Sequence, residues 1–378
     1  MRLSPATAFL TASLSGLSIV TIPAWSAPGT DAPQDVIVTI GDKGCVPMEL
    51  TAPPSKVSFK IKNESKRAVE WEILKGQSVI EERENILPGF VSTLTAKLEP
   101  GDYEMTCGLL SNPKGKLTVK AATTVEDKPK RHDFGPEIVA YKAYVTDEAE
   151  QLATKTRTLV DAIKAGKLEE AQKAYAPAHF HYERIEPVAE VFNDLDKSMD
   201  SRADDYENKE KDPNFAGFHR LEFGLFSEKS TGGLKDYADR LLKDTLDLKG
   251  RVASLDITPK ILAGGAAELI EEVAAKKISG EEDRYSKTDL WDFQANVDGA
   301  QKIVALLRQD ITARDPALVA QIDANFAKVD SKLAKYKNGD DGFESYDSLT
   351  PEDQKALKGP ITALAEDLSK LRGTLGVD

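Results

Sequence analysis

Two short stretches carry the residue types from which a metal site can be built. HFHYERIEP, from His179 to Pro187, sets two of the chain's four histidines beside Glu183 and Glu186, and GFHRLE sets His219 three residues before Glu222. On a helix, residues three or four apart share a face, with Cβ atoms about 5–6 Å apart. His179, Glu183, Glu186 and Glu190 then form one polar stripe, with Tyr175 a turn earlier, and His219 and Glu222 form a second pair. Phe218, Leu221, Phe223, Leu225 and Phe226 surround that pair, and a carboxylate among apolar side chains is costly unless it is paired or metal-bound. Each motif also has a plainer account. HFHYERIEP taken alone reads better as a solvated face pairing with Arg184 or a lysine, and GFHRLE reads also as a buried His–Glu hydrogen bond stapling two helices. Together, in a helical region otherwise poor in histidine, they point as strongly to one shared ion site, because bundles build such sites from inward Glu and Glu-x-x-His units on facing helices. His179 is expected to support the site rather than lead it, and His181 falls off the stripe.

The elements that must position these residues follow from periodicity. Between Val36 and Val119 apolar residues alternate, as in Val57, Phe59 and Ile61 or Val69, Trp71 and Ile73, with turn signals such as Pro53-Pro54, Lys75-Gly76 and Pro88-Gly89 between runs. This predicts an antiparallel β-sandwich over residues 33–121. The charged segment 122–134 reads as a linker. From Gly135 the period becomes helical, over roughly 136–165, 167–186, 188–208, 214–226, 232–254, 258–278, 288–313, 315–336 and 349–374. An all-α domain of two packed bundles is expected over 135–378. Asp200 lies fourteen residues beyond Glu186, about 21 Å away in one straight helix. It joins the site only if the chain bends back, and Pro187 supplies a break.

Residues 1–26, with Arg2, a run of apolar and small residues and the ending Ala24-Trp25-Ser26, read as a secretory signal. No later segment is apolar enough to span a bilayer, so an exported, soluble protein without direct membrane insertion is expected. With 63 acidic and 50 basic residues the net charge is −13. That balance disfavours nucleic acid and suits cations.

A blue-copper centre needs two histidines and a cysteine. No histidine occurs between residues 27 and 131, and the loop GLLSNPKGK after Cys107 lacks both His and Met, so a type-1 copper site is excluded. The sandwich retains Cys45 near Met48 and Glu49, Cys107 near Met105, and acidic residues at 70, 72, 81, 82 and 84. Two readings of the cysteines stand side by side: a disulfide, expected in an oxidising compartment, or thiolate ligands for copper or iron.

GFHRLE matches the Gly-x-His-x-x-Glu signature of the imelysin family, and HYERIEPVAEVFNDLD, GFHRLEFGLF and GEEDRYSKTDLWDFQANVDGAQKIV resemble its EfeO-like branch. The resemblance covers nearly the whole chain after the signal. It implies an N-terminal all-β cupredoxin-like sandwich followed by an all-α domain of two four-helix bundles. It also implies a periplasmic iron-binding role in a bacterial iron-uptake system, beside a membrane iron permease and a haem-containing, peroxidase-like protein. On this resemblance His219 and Glu222 are the signature pair, Glu183, Glu186 and Asp200 the carboxylates facing it, and Glu282 a further ligand, with Glu281 a less favoured neighbour. The cargo implied is iron, as Fe²⁺ or Fe³⁺. The resemblance also favours the metal reading of Cys45 and Cys107, with copper as the second candidate ion there. Two other functions stay open. Imelysins have been classed as metallopeptidases, although no His-Glu-x-x-His occurs here. A cation-bridged acidic polysaccharide is also conceivable, with Tyr182, Tyr206, Tyr285 and Trp291 as candidate aromatic contacts.

Overall fold

The computed structural model describes residues 34–54, 56–121, 134–275, 277–339 and 342–377. The expected signal, 1–26, and the expected linker apart from Phe134 lie outside the described residues. The sandwich contains β1 (Gln34–Gly41), β2 (Gly44–Val46), β3 (Glu49–Ala52), β4 (Lys56–Asn63), β5 (Val69–Lys75), β6 (Ser78–Ile86), β7 (Val91–Lys97), β8 (Gly101–Met105) and β9 (Gly115–Val119). The alternating residues Val57, Phe59 and Ile61 of β4 and Trp71 and Ile73 of β5 pack with Tyr103, Met105 and Leu117 into one core. One sheet runs β2-β1-β4-β7 and the other β3-β9-β8-β5-β6. The expectation of a purely antiparallel sandwich is corrected, because β1 pairs parallel with β4 and β3 parallel with β9. The physical reason is the path of the chain: β3 joins the other sheet before β4 returns beside β1, and such a crossover makes neighbours parallel.

Cys45 and Cys107 form a disulfide across 62 residues, their Cα atoms 5.1 Å apart. It links β2 of one sheet to the segment after β8 of the other. Closing such a loop stabilises by about 4 kcal/mol on the chain-entropy account. The thiolate reading is corrected accordingly: each sulfur is bonded to the other, so neither offers a thiolate to copper or iron.

The helical half contains α1 (Gly135–Lys164), α2 (Leu168–Glu183), α3 (Glu186–Ala189), α4 (Asn193–Met199), α5 (Gly217–Glu222), α6 (Lys235–Ser254), α7 (Pro259–Ala275), α8 (Asp289–Arg314), α9 (Pro316–Leu333), α10 (Pro351–Leu368) and α11 (Leu371–Leu375). α1 packs on α2 and α6, and the short α4 and α5 lie against α6 where a fourth long helix would run. α7, α8, α9 and α10 form the second bundle, and α8 joins the two by also packing on α2.

The single helix expected over 188–208 is instead a bent path of short turns. Pro187 occupies the first turn of α3, where a missing N–H costs nothing. The chain then leaves the helix to meet the open edge of β6. Val79 N–H donates to Val191 C=O at 3.1 Å, and Asn193 N–H donates to Gln77 C=O at 3.1 Å. The Asn193 amide also donates to both oxygens of Glu72, at 2.9 and 3.1 Å. Sheet-edge bonds thus replace helical ones, and α4 runs on toward the interior of the first bundle.

Candidate metal centre

The bend brings Asp200, at the end of α4, back to α2. His179 Nε2 lies 2.8 Å from Asp200 Oδ1 and 3.3 Å from Glu183 Oε1. His219 Nε2 lies 3.6 Å from the same Asp200 oxygen and 3.4 Å from Glu282 Oε1. The opposite nitrogens face a second set of carboxylates. His179 Nδ1 is 3.3 Å from Asp292 Oδ1, and His219 Nδ1 is 3.2 Å from Glu222 Oε2 and 4.0 Å from Asp283 Oδ1. The imidazole centroids are 5.4 Å apart with the rings nearly perpendicular.

Local sequence explains this convergence. Gly217 opens α5 with φ of +75°, and a Cβ there would lie 2.1 Å from the Met199 carbonyl oxygen. Only glycine lets α5 start against the residue preceding Asp200, which sets His219 beside it. Gly280, also at positive φ, lets the loop carrying Glu282 and Asp283 turn under Tyr346, whose hydroxyl donates to Ile278 C=O at 2.7 Å. Glu222 is held by the backbone N–H groups of Tyr285 and Ser286, each at 2.8 Å to Oε1. Asp283 accepts from the Tyr175 hydroxyl at 2.9 Å.

Of the residues expected from sequence, Glu183, Asp200, His219, Glu222 and Glu282 meet in this cluster. Glu186 is outside the groups of ligand atoms within 4.8 Å of one another, but it lines the same acidic cavity as Asp200 and Glu282. The helix ends at Glu183, so Glu186 begins a new turn instead of continuing the stripe. Its Oε2 accepts from Asn296 at 3.0 Å and faces the Lys277 ammonium at 3.4 Å. Glu281 faces Arg284 at 3.3 Å on the surface. His181 sits off the cluster, 2.6 Å from Glu148. The structure adds Asp283, Asp292 and a central His179. A signal for Asp292 was present in the sequence: it and Asn296 occupy the apolar face of α8, with Phe293, Ala300 and Ile303, where polar residues need a reason.

Electrostatics set the protonation. Burial opposes charge on His179, but Asp292 and Glu183 reverse this and hold its pKa well above the ordinary imidazole value. Burial likewise opposes charge on His219, and Glu222 and Glu282 raise it. Burial pushes Glu183 up, against the pull of Lys277 and His179. Burial and the charge of Asp292 hold Asp283 far above the usual carboxylate range. Lys277 is fully buried, its ammonium 2.6 Å from Glu183 Oε2. Burial works against that charge, and Glu183 and Glu186 more than restore it.

The donor set fits a cation. Glu183 Oε1, both Asp292 oxygens, His179 Nδ1 and His219 Nε2 are buried without a hydrogen-bond partner among the described residues. Such atoms are costly unless something binds them. Carboxylate oxygens with one or two imidazoles suit iron or manganese better than copper(I). An acidic cavity borders the cluster. It measures roughly 40 Å³, lies between sandwich and bundle, and is lined by Glu70 and Glu84 on one side and by Glu186, Glu190, Asp196, Asp200 and Glu282 on the other. Arg202 stands at this cavity and donates to Glu282 Oε2 at 2.9 Å.

A buried His–carboxylate cluster in a helical domain behind a cupredoxin-type sandwich defines a class. The Imelysin family model, labelled as a peptidase family, matches residues 138–371, and a Cupredoxin-like domain model matches residues 14–119. The chain belongs to the imelysin family. Within it, the relatives are of the EfeO type. The protein named "Iron uptake system component EfeO" from Escherichia coli O157:H7 is 58% identical over 357 residues, 94% of this chain and 95% of the relative. A protein of the same name from Yersinia pseudotuberculosis serotype I is 57% identical over 363 residues, 96% of each chain.

Proposed function

We propose that this protein is the iron-binding component of a bacterial iron-uptake system, capturing iron in the helical domain and releasing it to a membrane permease. The observation that carries the reading is the meeting of Glu183 Oε1, Asp200 Oδ1, Glu282 Oε1 and the Nε2 atoms of both histidines, with Asp200 and Glu282 also lining the acidic cavity. Iron is the substrate here, held by oxygen and nitrogen donors. The carboxylates around His179 hold its pKa up and burial holds that of Glu183 up, so ion entry is expected to displace protons. Glu186 serves as a partner of Lys277 and Asn296, orienting Glu183 rather than ligating. Among the described residues no helix is long and apolar enough to cross a membrane. The reading places the protein in the periplasm, where the permease and a haem-containing, peroxidase-like protein are its proposed partners. The disulfide leaves the sandwich without thiol ligands, so its share of the work is structural support of the bend that carries Asp200.

The family's peptidase label favours a second reading. A zinc peptidase needs three protein ligands, an open position and a general base. This cluster instead surrounds its histidines with carboxylates, so binding is preferred. Asp200→Asn tests the first reading by isothermal titration with Fe²⁺ under anaerobic conditions, in two buffers of different protonation enthalpy. Loss of affinity by about 100-fold is expected, with proton release in the wild type. Unchanged affinity with an unchanged circular dichroism spectrum refutes the site, and chelator-sensitive cleavage of casein supports the peptidase instead.

A further inference from the structure

We propose that the outer face of the sheet β2-β1-β4-β7, with the turn between β6 and β7, rests on an anionic lipid surface. This adds a place of work to the uptake reading and uses none of the metal ligands.

Strand register assembles the face. Ile37 lies beside Lys60 and Thr93, and Val46 stands in one row with Thr39, Lys62 and Val91. The residues between them, Val38, Ile40, Phe59 and Ile61, belong to the sandwich core, so the pleat turns this set outward. Ile37, Val46 and Val91 are each more than half exposed, and so are Leu87 and Phe90 in the turn that leads into β7. The solvated face of a sheet ordinarily takes polar residues, and grouped exposed apolar side chains mark an interaction surface. The turn is held in place: Gly89 N–H donates to Asn63 C=O at 2.8 Å, and Asn63 N–H donates to Phe90 C=O at 3.0 Å.

Charge and composition select the occupant. The ionisable residues on the outer face of these strands are Lys56, Lys60, Lys62, Lys97 and Asp35. Four positive charges thus face one negative, on a chain of net charge −13. Glu64, just beyond β4, meets Lys62 at 2.6 Å, but both are about half exposed and such a pair is weak. Apolar side chains that enter the headgroup boundary, beside ammonium groups that reach the phosphates, are how a protein surface holds anionic lipid. A protein partner is the lesser fit, because protein interfaces draw on Trp, Tyr and Arg and avoid Lys, whereas these strands present lysines outward and no Trp, Tyr or Arg. The acidic remainder of the chain is screened beyond about 8 Å, so the lysine face leads. Asn63 also ties the turn to Arg67, its amide donating to Arg67 C=O at 2.6 Å. Arg67, Arg202 and Asp205 line one cavity between sandwich and bundle, and Arg202 and Asp205 line the acidic one as well. Docking here sets these cavities beside the lipid.

Co-sedimentation of the exported protein with vesicles of phosphatidylglycerol and phosphatidylethanolamine in about 0.1 M salt, against vesicles of phosphatidylcholine, tests this. The wild type is expected to partition into the anionic vesicles and to leave them as salt rises. Lys60→Gln with Lys62→Gln should weaken partitioning about 30-fold, and Leu87→Ser with Phe90→Ser about tenfold or more. Leu246→Ser, at an exposed apolar position on α6, should leave it unchanged. All of these variants should keep the Mn²⁺ affinity of the wild type. Absence of partitioning by the wild type, or equal partitioning by the variants, overturns the proposal and leaves the iron site standing. So does binding only to vesicles that carry a membrane protein, or a wild-type dimer that Phe90→Ser disperses. Failure of the wild type to bind Mn²⁺ or Fe²⁺ strikes the uptake reading alone.

Discussion

Gly217→Ala is the smallest change expected to dismantle the site without altering a ligand. The added Cβ would lie 2.1 Å from Met199 O, 2.5 Å from Met199 C and 2.8 Å from Ser198 O, all of them backbone atoms. An L-residue at φ of +75° also costs about 1–2 kcal/mol. Relieving the overlap requires α5 to retreat from α4 by about 1 Å, since ordinary carbon–oxygen contacts lie near 3.4 Å. His219 rides on α5 and Asp200 caps α4, so their 3.6 Å approach opens by a similar amount. Metal sites tolerate errors of roughly 0.2 Å, and a loss of affinity of about 100-fold is the expected consequence. Gly250→Ala is the control, because nothing lies within 4 Å of its added Cβ in the C-terminal part of α6. That change should stabilise by about 0.5–1 kcal/mol and leave binding alone. Calorimetric titration with Mn²⁺ and thermal melts read both. A Gly217→Ala protein that binds like the wild type would refute the claim that this contact sets the geometry.

Other predictions follow from the charged groups. Lys277→Met leaves Glu183 and Glu186 buried without their ammonium and should destabilise by about 3–5 kcal/mol; adding Glu186→Gln should recover part of that in chemical denaturation. Glu72 is pushed by burial from 4.5 to about 7. Its folded value exceeds its unfolded one, so its contribution is fully present below 4.5 and lost as pH rises through about 7, a loss of roughly 3 kcal/mol. Urea titrations at pH 5 and pH 8 should show that loss in the wild type and a smaller one in Glu72→Gln.

The sandwich and the bundle were legible because periods of two and of 3.6 leave different imprints, and long amphipathic runs such as α1, α6 and α9 lie close to where periodicity puts them. The segment 188–208 was not. Its helix-like composition gives way to contacts with β6, and no local pattern in Phe192 or Asn193 announces a partner more than a hundred residues earlier. The same non-local cause acts at Glu186: spacing puts it on the stripe, but nothing near it in sequence announces the Lys277 and Asn296 contacts that it shares with Glu183. His179 was underrated because its role depends on Asp200 and Asp292, neither of which is near it in sequence. The parallel strand pairings were hidden for a related reason, since alternation reports which face is buried but not which neighbour lies alongside.

The bend between α3 and α4 gives the sandwich a role that needs no ligand of its own. Asp200 reaches His179 only because residues 191–193 are bonded to β6 and to Glu72 of β5. Asn193→Ala removes the two bonds to Glu72 and leaves that carboxylate buried with Lys197 3.8 Å away. Unsatisfying a buried charged group costs about 1–3 kcal/mol. If the bend is what presents Asp200, part of that cost appears as weaker binding, because the ion then has to order the segment as it enters. Mn²⁺ affinity should fall about tenfold, equivalent to ~1.4 kcal/mol, although Asn193 touches no ligand. Glu72→Gln keeps an acceptor for the Asn193 amide and should bind almost as the wild type does. A lower melting temperature for Asn193→Ala with undiminished affinity would mean that the sandwich only packs against the bundle, and that α4 finds Asp200's position unaided.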